Sequence, residues 1–164
     1  KNFYKLINIL KSLSKKYKKR IIFTTHPRTR NQIKKEKISL SPLIEFHNPF
    51  CLTDYLKLQL NAITVLSDSG TITEESSILN FPAINIRESH ERPEGMEEGS
   101  VMMLGLSWDR INNGLSILRN QYRGENRTLK IVEDYSYTNV SEKVIRIILS
   151  YTHYINNFVW HKEE

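Results

Sequence analysis

A run of small polar residues, Ser67-Asp68-Ser69-Gly70-Thr71, followed by the pair Glu74-Glu75, is the part of this sequence best suited to chemistry. It leaves an apolar, β-branched stretch, Ala62-Ile63-Thr64-Val65-Leu66, and enters a segment of helical character. A polar turn between a buried strand and a helix presents unpaired backbone N–H groups at the positive end of the helix, which suits an anion. Gly70 permits a tight turn and close approach by a ligand, and Ser69 and Thr71 add hydroxyls. An ordinary helix cap made by Asp68 or Ser69 explains the turn equally well. Glu74 and Glu75 are adjacent and so point in different directions, and Glu75 is the one expected to accept hydrogen bonds from ligand hydroxyls. A second dense cluster, Glu91-Arg92-Pro93-Glu94-Gly95, follows after one more apolar stretch. Arg92 in an exposed ion pair is the plain reading. With Arg87 also close to a candidate anion site, phosphate binding by at least one arginine is favoured. Earlier in the chain, His26-Pro27-Arg28 follows another apolar stretch, where His26 could donate to a phosphate oxygen or assist a leaving group.

The elements that must position these residues follow from periodicity. Phe3, Leu6, Ile7, Leu10, Leu13 and Tyr17 predict an amphipathic helix over residues 2–19. Strands are expected at Arg20–Thr25, Leu43–Phe46, Ile63–Ser67, Phe81–Ile86 and Val101–Leu104. Between them lie a turn over residues 26–29, a short helix over 30–36, a helix over Asp54–Leu60 capped by Thr53, and a helix over Thr71–Leu79. Pro93 opens a short helix, Trp108–Tyr122 forms another, Gly124–Tyr137 is loop, and Val140–Asn157 is a long helix. Strands alternating with helices through short loops indicate an α/β domain with a parallel sheet. Ligands bind such sheets beyond the carboxyl ends of the strands. His26, Ser69-Gly70 and the Arg87–Arg92 segment each follow a strand, so all are expected at one edge.

The 164 residues are enough for one domain with a real core. With 39% hydrophobic and 26% charged residues, the composition is that of an ordinary globular protein, and no apolar run is long enough to span a bilayer. No signal-peptide pattern opens the chain, and a cytoplasmic location is expected. The first residue is Lys rather than Met, so a piece of a longer protein is expected. A single cysteine, Cys51, leaves no intrachain disulfide and is expected to be a buried small residue rather than a nucleophile. His47, His153 and His161 have no metal-ligand spacing, and neither a Walker glycine loop nor a dinucleotide fingerprint is present. The net charge of +6 is concentrated at Lys15–Arg20 and Lys34–Lys37. Without an aromatic–basic motif this reads as solvated helix ends rather than a nucleic-acid surface.

The clusters together resemble the non-hydrolysing UDP-N-acetylglucosamine 2-epimerase family. The family's Ser-Asp-Ser-Gly turn, Glu-Glu pair, Arg-x-x-x-Glu-Arg-Pro-Glu segment and following Gly stand here as Ser67-Asp68-Ser69-Gly70, Glu74-Glu75, Arg87 through Glu94, and Gly99. Its His-x-Arg element matches His26-Pro27-Arg28, and Thr53-Asp54-Tyr55-Leu56 is similar to its segment near the uracil. Thr71 and Thr73 depart from the family's more common Gly and Gln. Ser89-His90 departs from its Thr-Thr. These changes, with Pro93-Glu94-Gly95-Met96-Glu97, look like the capsule and O-antigen branch that forms UDP-N-acetyl-L-fucosamine.

The resemblance implies the C-terminal half of a two-domain GT-B-type enzyme, with a missing N-terminal domain and a homodimeric full-length protein. It implies UDP binding at His26, Arg28, Ser69, Gly70, Thr71, Glu75 and Arg92, with His26 the catalytic candidate of this half. No redox cofactor or metal is implied. The fragment alone is expected to be inactive. Residues 140–164 are expected to pack on the missing half, leaving Tyr151, Tyr154, Phe158 and Trp160 partly exposed. The alternatives are the C-terminal domain of a UDP-sugar glycosyltransferase, which requires an acceptor, and a non-catalytic interaction domain favoured only by the basic runs.

Overall fold

A computed structural model describes residues 2–25, 27–89 and 92–162. The chain divides into two compact units, Lys1–Val132 and Glu133–Glu164.

The first unit runs α1 (Asn2–Tyr17), β1 (Ile21–Thr24), α2 (Pro27–Lys35), β2 (Ile44–His47), α3 (Leu52–Asn61), β3 (Val65–Ser67), α4 (Ile72–Leu79), β4 (Ala83–Asn85), α5 (Pro93–Glu97), β5 (Met102–Met103) and α6 (Trp108–Leu118). The α/β alternation expected from the sequence is therefore present. Every strand pair is parallel. The strands form two ladders, β1–β2 and β3–β4–β5.

β4 is the centre of the second ladder. Ala83, Ile84 and Asn85 are all buried, the pattern of a parallel strand covered on both faces. On one face Ile84 packs with Ile9 of α1 and Ile111, Leu115 and Leu118 of α6. Ala83 joins Ile72 of α4, Phe81 and Val101 in a second cluster. Of the predicted stripe of α1, Ile7 and Leu10 are buried and Leu13 and Tyr17 pack against this cluster, while Ile9, outside the predicted stripe, makes the central contact. The helix stops where Lys18 turns left-handed, φ 51°, its N–H donating to the Ser14 carbonyl.

Several boundaries differ from the sequence expectation for local reasons. α2 begins at Pro27, so Arg28 lies in a helix and not a turn. Proline's fixed φ and missing N–H suit the first helical position. α3 begins two residues earlier than expected, at Leu52, with Cys51 as N-cap and no side-chain cap bond. Thr53 does not cap it; its Oγ1 lies 3.3 Å from Cys51 Sγ. At this surface helix end Cys51 is exposed, contrary to the expectation of burial. The strands are shorter than their apolar runs because ladder pairing covers only Val65–Ser67 against Ala83–Asn85 and Met102–Met103 against Ile84–Asn85.

The segment after α6 is tied back by side chains. Asn80, the left-handed C-cap of α4 (φ 53°), donates its amide to the carbonyls of Gly124 at 2.8 Å and Asn126 at 2.7 Å. Arg127 donates to the carbonyls of Ser77 and Ile78, near the carboxyl end of α4. Arg123 donates to those of Ala62 and Ile63, just beyond α3. The Arg127 guanidinium thus meets last-turn carbonyls of α4 that helix geometry leaves open, while the Ile63 carbonyl met by Arg123 also accepts from the Thr64 hydroxyl.

The second unit holds a 3-10 turn at Glu133–Tyr135 and α7 (Val140–Tyr154), which continues into a wider turn over Ile155–Val159. Val144, Ile147, Ile148 and Tyr151 recur along α7 as predicted and are exposed. The rings of Tyr154 and Phe158 stack with centroids 5.1 Å apart. Among the described residues no helix is long and apolar enough to cross a membrane.

Candidate functional site

Because β3, β4 and β5 are parallel, their carboxyl ends share one edge. Two of the three elements singled out in the sequence emerge there: the Asp68–Thr71 turn after β3, and the segment leading from β4 to Arg92. The turn is built by its own hydroxyls. Ser67 Oγ accepts from the Ser69 N–H at 3.1 Å, and Ser69 Oγ accepts from the Thr71 N–H at 3.3 Å. The hydroxyls of Ser69 and Thr71 are 2.9 Å apart. Thr71 is the N-cap of α4 rather than its first residue. Neither Asp68 nor Ser69 is the cap that the plain reading expects, since Thr71 is the N-cap and makes no side-chain cap bond. Ser69 instead organises the turn and remains exposed, and the amino end of α4 opens at the same edge. Gly70 is not among the left-handed glycines, so its freedom of φ is not what the turn uses.

After β4 the chain is redirected by Asn85, whose Oδ1 accepts from the Arg87 N–H at 2.8 Å. The return path brings Arg92 to α4, where its Nε lies 2.7 Å from Glu74 Oε1. Both side chains are about two-thirds buried (28% and 31% exposed), and the second Glu74 oxygen is buried without a partner. A largely buried guanidinium beside a helix's amino end is strongly placed to neutralise an anion.

The approach of α5 to α4 makes this possible. A Cβ on Gly95 would stand 1.9 Å from the Thr73 methyl, so only glycine allows α5 to lie this close. Gly99 then turns with φ 72°, returning the chain toward β5.

Glu75 faces a different neighbour. Its Oε2 accepts from the side-chain amide of Gln59 on α3. Tyr55, one turn earlier on α3, belongs to the same group. Burial pushes its phenol above the ordinary value, the Glu75 charge adds to this, and a hydrogen bond from Gln59 opposes it. The two adjacent glutamates thus diverge as expected, Glu74 to Arg92 and Glu75 to α3.

The structure brings together Ser69, Gly70 and Thr71 in one turn, with Glu75 on the helix that follows and Arg92 bonded to that helix. Arg28 stands in the first turn of α2, at the carboxyl end of β1 in the other ladder. His26 lies outside the described residues, as do His90 and Glu91 of the arginine segment. Sequence reasoning missed Gln59. A glutamine inside the Leu56–Leu60 stretch was the available signal.

The family model described as UDP-N-acetylglucosamine 2-epimerase matches residues 1–149. A curated relative, the UDP-N-acetylglucosamine 2-epimerase of Methanococcus maripaludis, is 36% identical over 113 residues, 66% of this chain and 31% of that protein. The structure of UDP-N-acetylglucosamine 2-epimerase from Rickettsia bellii superposes with a TM-score of 0.87 at 46% identity, covering 98% of this chain and 44% of that one. The Methanocaldococcus jannaschii enzyme, solved in complex with UDP-GlcNAc and UDP, superposes with a TM-score of 0.78 at 27% identity, covering 91% and 41%. The chain thus spans less than half the length of each of these relatives. A match that runs through the turn, the glutamate pair and the arginine segment alike leaves one assignment: the chain belongs to the UDP-N-acetylglucosamine 2-epimerase family.

Proposed function

We propose that this chain is the UDP-binding, C-terminal half of a nucleotide-sugar 2-epimerase. The observation that carries the reading is Arg92 bonded to α4 beside the Ser69–Thr71 turn, a cation and a helix amino end at one sheet edge. In this account the diphosphate lies on the amino end of α4, held by the Ser69 and Thr71 hydroxyls, the Gly70 backbone and Arg92. Glu75 accepts hydrogen bonds from the ribose. His26 and Arg28 approach the phosphates, and His26 assists UDP departure. The M. jannaschii relative, solved with UDP-GlcNAc and UDP, supports uridine diphosphate as the ligand class.

The full-length enzyme inverts C2 of a UDP-N-acetylhexosamine. A base removes the C2 proton as the C1–O bond breaks and its electron pair leaves with UDP, giving a glycal-like intermediate. UDP then adds back at C1 as a proton is delivered to the other face of C2. The C2 proton is weakly acidic, so the step needs both a placed base and stabilisation of the departing diphosphate. This half supplies the second requirement, and an N-terminal domain supplies the base. The exposed apolar residues of α7 pack on that domain, and the whole protein is a cytoplasmic homodimer. The departures from the common family pattern at Thr71, Thr73 and Ser89 support a role in capsule or O-antigen precursor synthesis, on a UDP-sugar leading to UDP-N-acetyl-L-fucosamine.

Incubation of the full-length protein with a UDP-N-acetylhexosamine alone in deuterated water tests the reading. C2 epimerisation with deuterium at C2 and no acceptor is expected. An absolute requirement for an acceptor would identify a glycosyltransferase instead.

A further inference from the structure

We propose that Gln59 is a positioning residue for the nucleotide, its carboxamide holding the Glu75 carboxylate in the orientation that accepts the ribose hydroxyls. The inference rests on the reading of Glu75 given above and adds to it a residue on another element.

Gln59 is the only buried residue of α3, at 2% exposure, while Leu52 and Leu60 of the same helix are exposed. A helix that turns an amide inward and leucines outward inverts the usual preference. The amide Nε2 donates to Glu75 Oε2, and Oε1 is buried with no partner. Leaving a buried oxygen unpaired forfeits its full hydration with nothing in return. Turning the amide over cannot relieve it, since Oε1 would then face a carboxylate that only accepts. The orientation is therefore dictated by Glu75, at the expense of Gln59's own oxygen.

The geometry has a consequence for binding. One oxygen of Glu75 is tied to α3, which anchors one side of the carboxylate and leaves the other oxygen for the ligand. Tyr55 senses both groups, and Asp68 of the turn also acts on its phenol. The amide thus stands among the α3 phenol, the α4 carboxylate and the turn that receives the diphosphate.

The test uses the full-length protein and two probes, UDP and its 2′-deoxy analogue, with affinities measured by calorimetry. The ratio between them isolates the ribose contact, and any unfolded fraction cancels. Losing a hydrogen bond to a charged group costs about 1.5–3 kcal/mol, so the wild type should prefer UDP by roughly ten- to hundred-fold. Glu75→Ala should abolish the preference. Gln59→Met, which keeps the volume and removes the amide, should cut it to about three-fold or less, with little change for the deoxy analogue. Gln59→Glu, which sets a like charge against Glu75, should cut it at least as far. If Glu75→Ala removes the preference and Gln59→Met leaves it intact, the positioning role is overturned and the ribose reading stands. If Gln59→Met weakens both probes equally, Gln59 is merely structural and the proposal also fails. If Glu75→Ala leaves the preference unchanged, the ribose reading falls and the proposal falls with it.

Discussion

Arg92 Nε and Glu74 Oε1 are 2.7 Å apart, an ion pair that pins the segment after β4 to the first turn of α4. The pair presents a guanidinium beside the helix's amino end, and it leaves Glu74 Oε2 buried without a bond. Arg92→Ala in the full-length protein should therefore weaken UDP binding by roughly ten- to hundred-fold, the value of a charge-assisted hydrogen bond to phosphate. Glu74→Ala should cost less, and the double variant should bind no worse than Arg92→Ala alone, because the carboxylate acts only through the arginine. Titration calorimetry of the three variants decides this, and additive losses would contradict it.

Gly95 sets the distance between α5 and α4. Gly95→Ala drives a methyl into Thr73, whose side chain is 2% exposed and has nowhere to retreat. A loss of about 1–3 kcal/mol in urea unfolding is expected. Thr73→Ser, which removes the obstructing methyl, should recover most of it in the double variant. An unaltered stability for Gly95→Ala alone would show that the two helices part freely.

Arg20 and Glu45 join the amino end of β1 to β2, with Nε–Oε1 at 2.7 Å and Nη2–Oε2 at 2.8 Å. The guanidinium holds the Glu45 carboxyl at about 2, well below its ordinary value. A depressed carboxylate pKa adds stability above the unfolded value, and that stability is lost as the pH falls toward the folded one. Unfolding midpoints should thus decline from the ordinary carboxylate range down to about pH 2, and Arg20→Met should flatten the decline. An identical acid profile in the variant would remove the pair from any account of acid stability.

The 164 residues expressed alone should bind UDP weakly and show no epimerase turnover, because proton transfer at C2 is assigned to the N-terminal domain. Efficient turnover by the isolated chain, followed by proton NMR of the sugar, would contradict that division of labour.

Much of this arrangement is legible in the sequence. The stripe of α1, the alternation of strand and helix and the opening of α5 at Pro93 are local patterns, and local patterns survive folding. The turn and the arginine segment were legible because each follows a strand, and parallel strands deliver their ends to a common edge. The Gln59–Glu75 bond was not, since it joins two helices through side chains whose meeting depends on how α3 lies beside α4. The N-cap at Cys51 was missed because the hydroxyl that suggested a cap at Thr53 turned to the thiol instead. Gly70 is expected to permit a tight turn, yet its φ is not positive and the turn is closed by serine hydroxyls. Gly95 and Gly99, which enter the sequence reading only as part of a motif, are positions where the structure needs glycine, the first for close approach and the second for its positive φ.

A crystal structure of the full-length protein soaked with uridine diphosphate shows whether the diphosphate sits on α4. The account predicts the diphosphate oxygens within hydrogen-bond distance of the Ser69–Thr71 turn and of the Arg92 guanidinium. Uridine diphosphate bound elsewhere, with the amino end of α4 and Arg92 untouched, would contradict it.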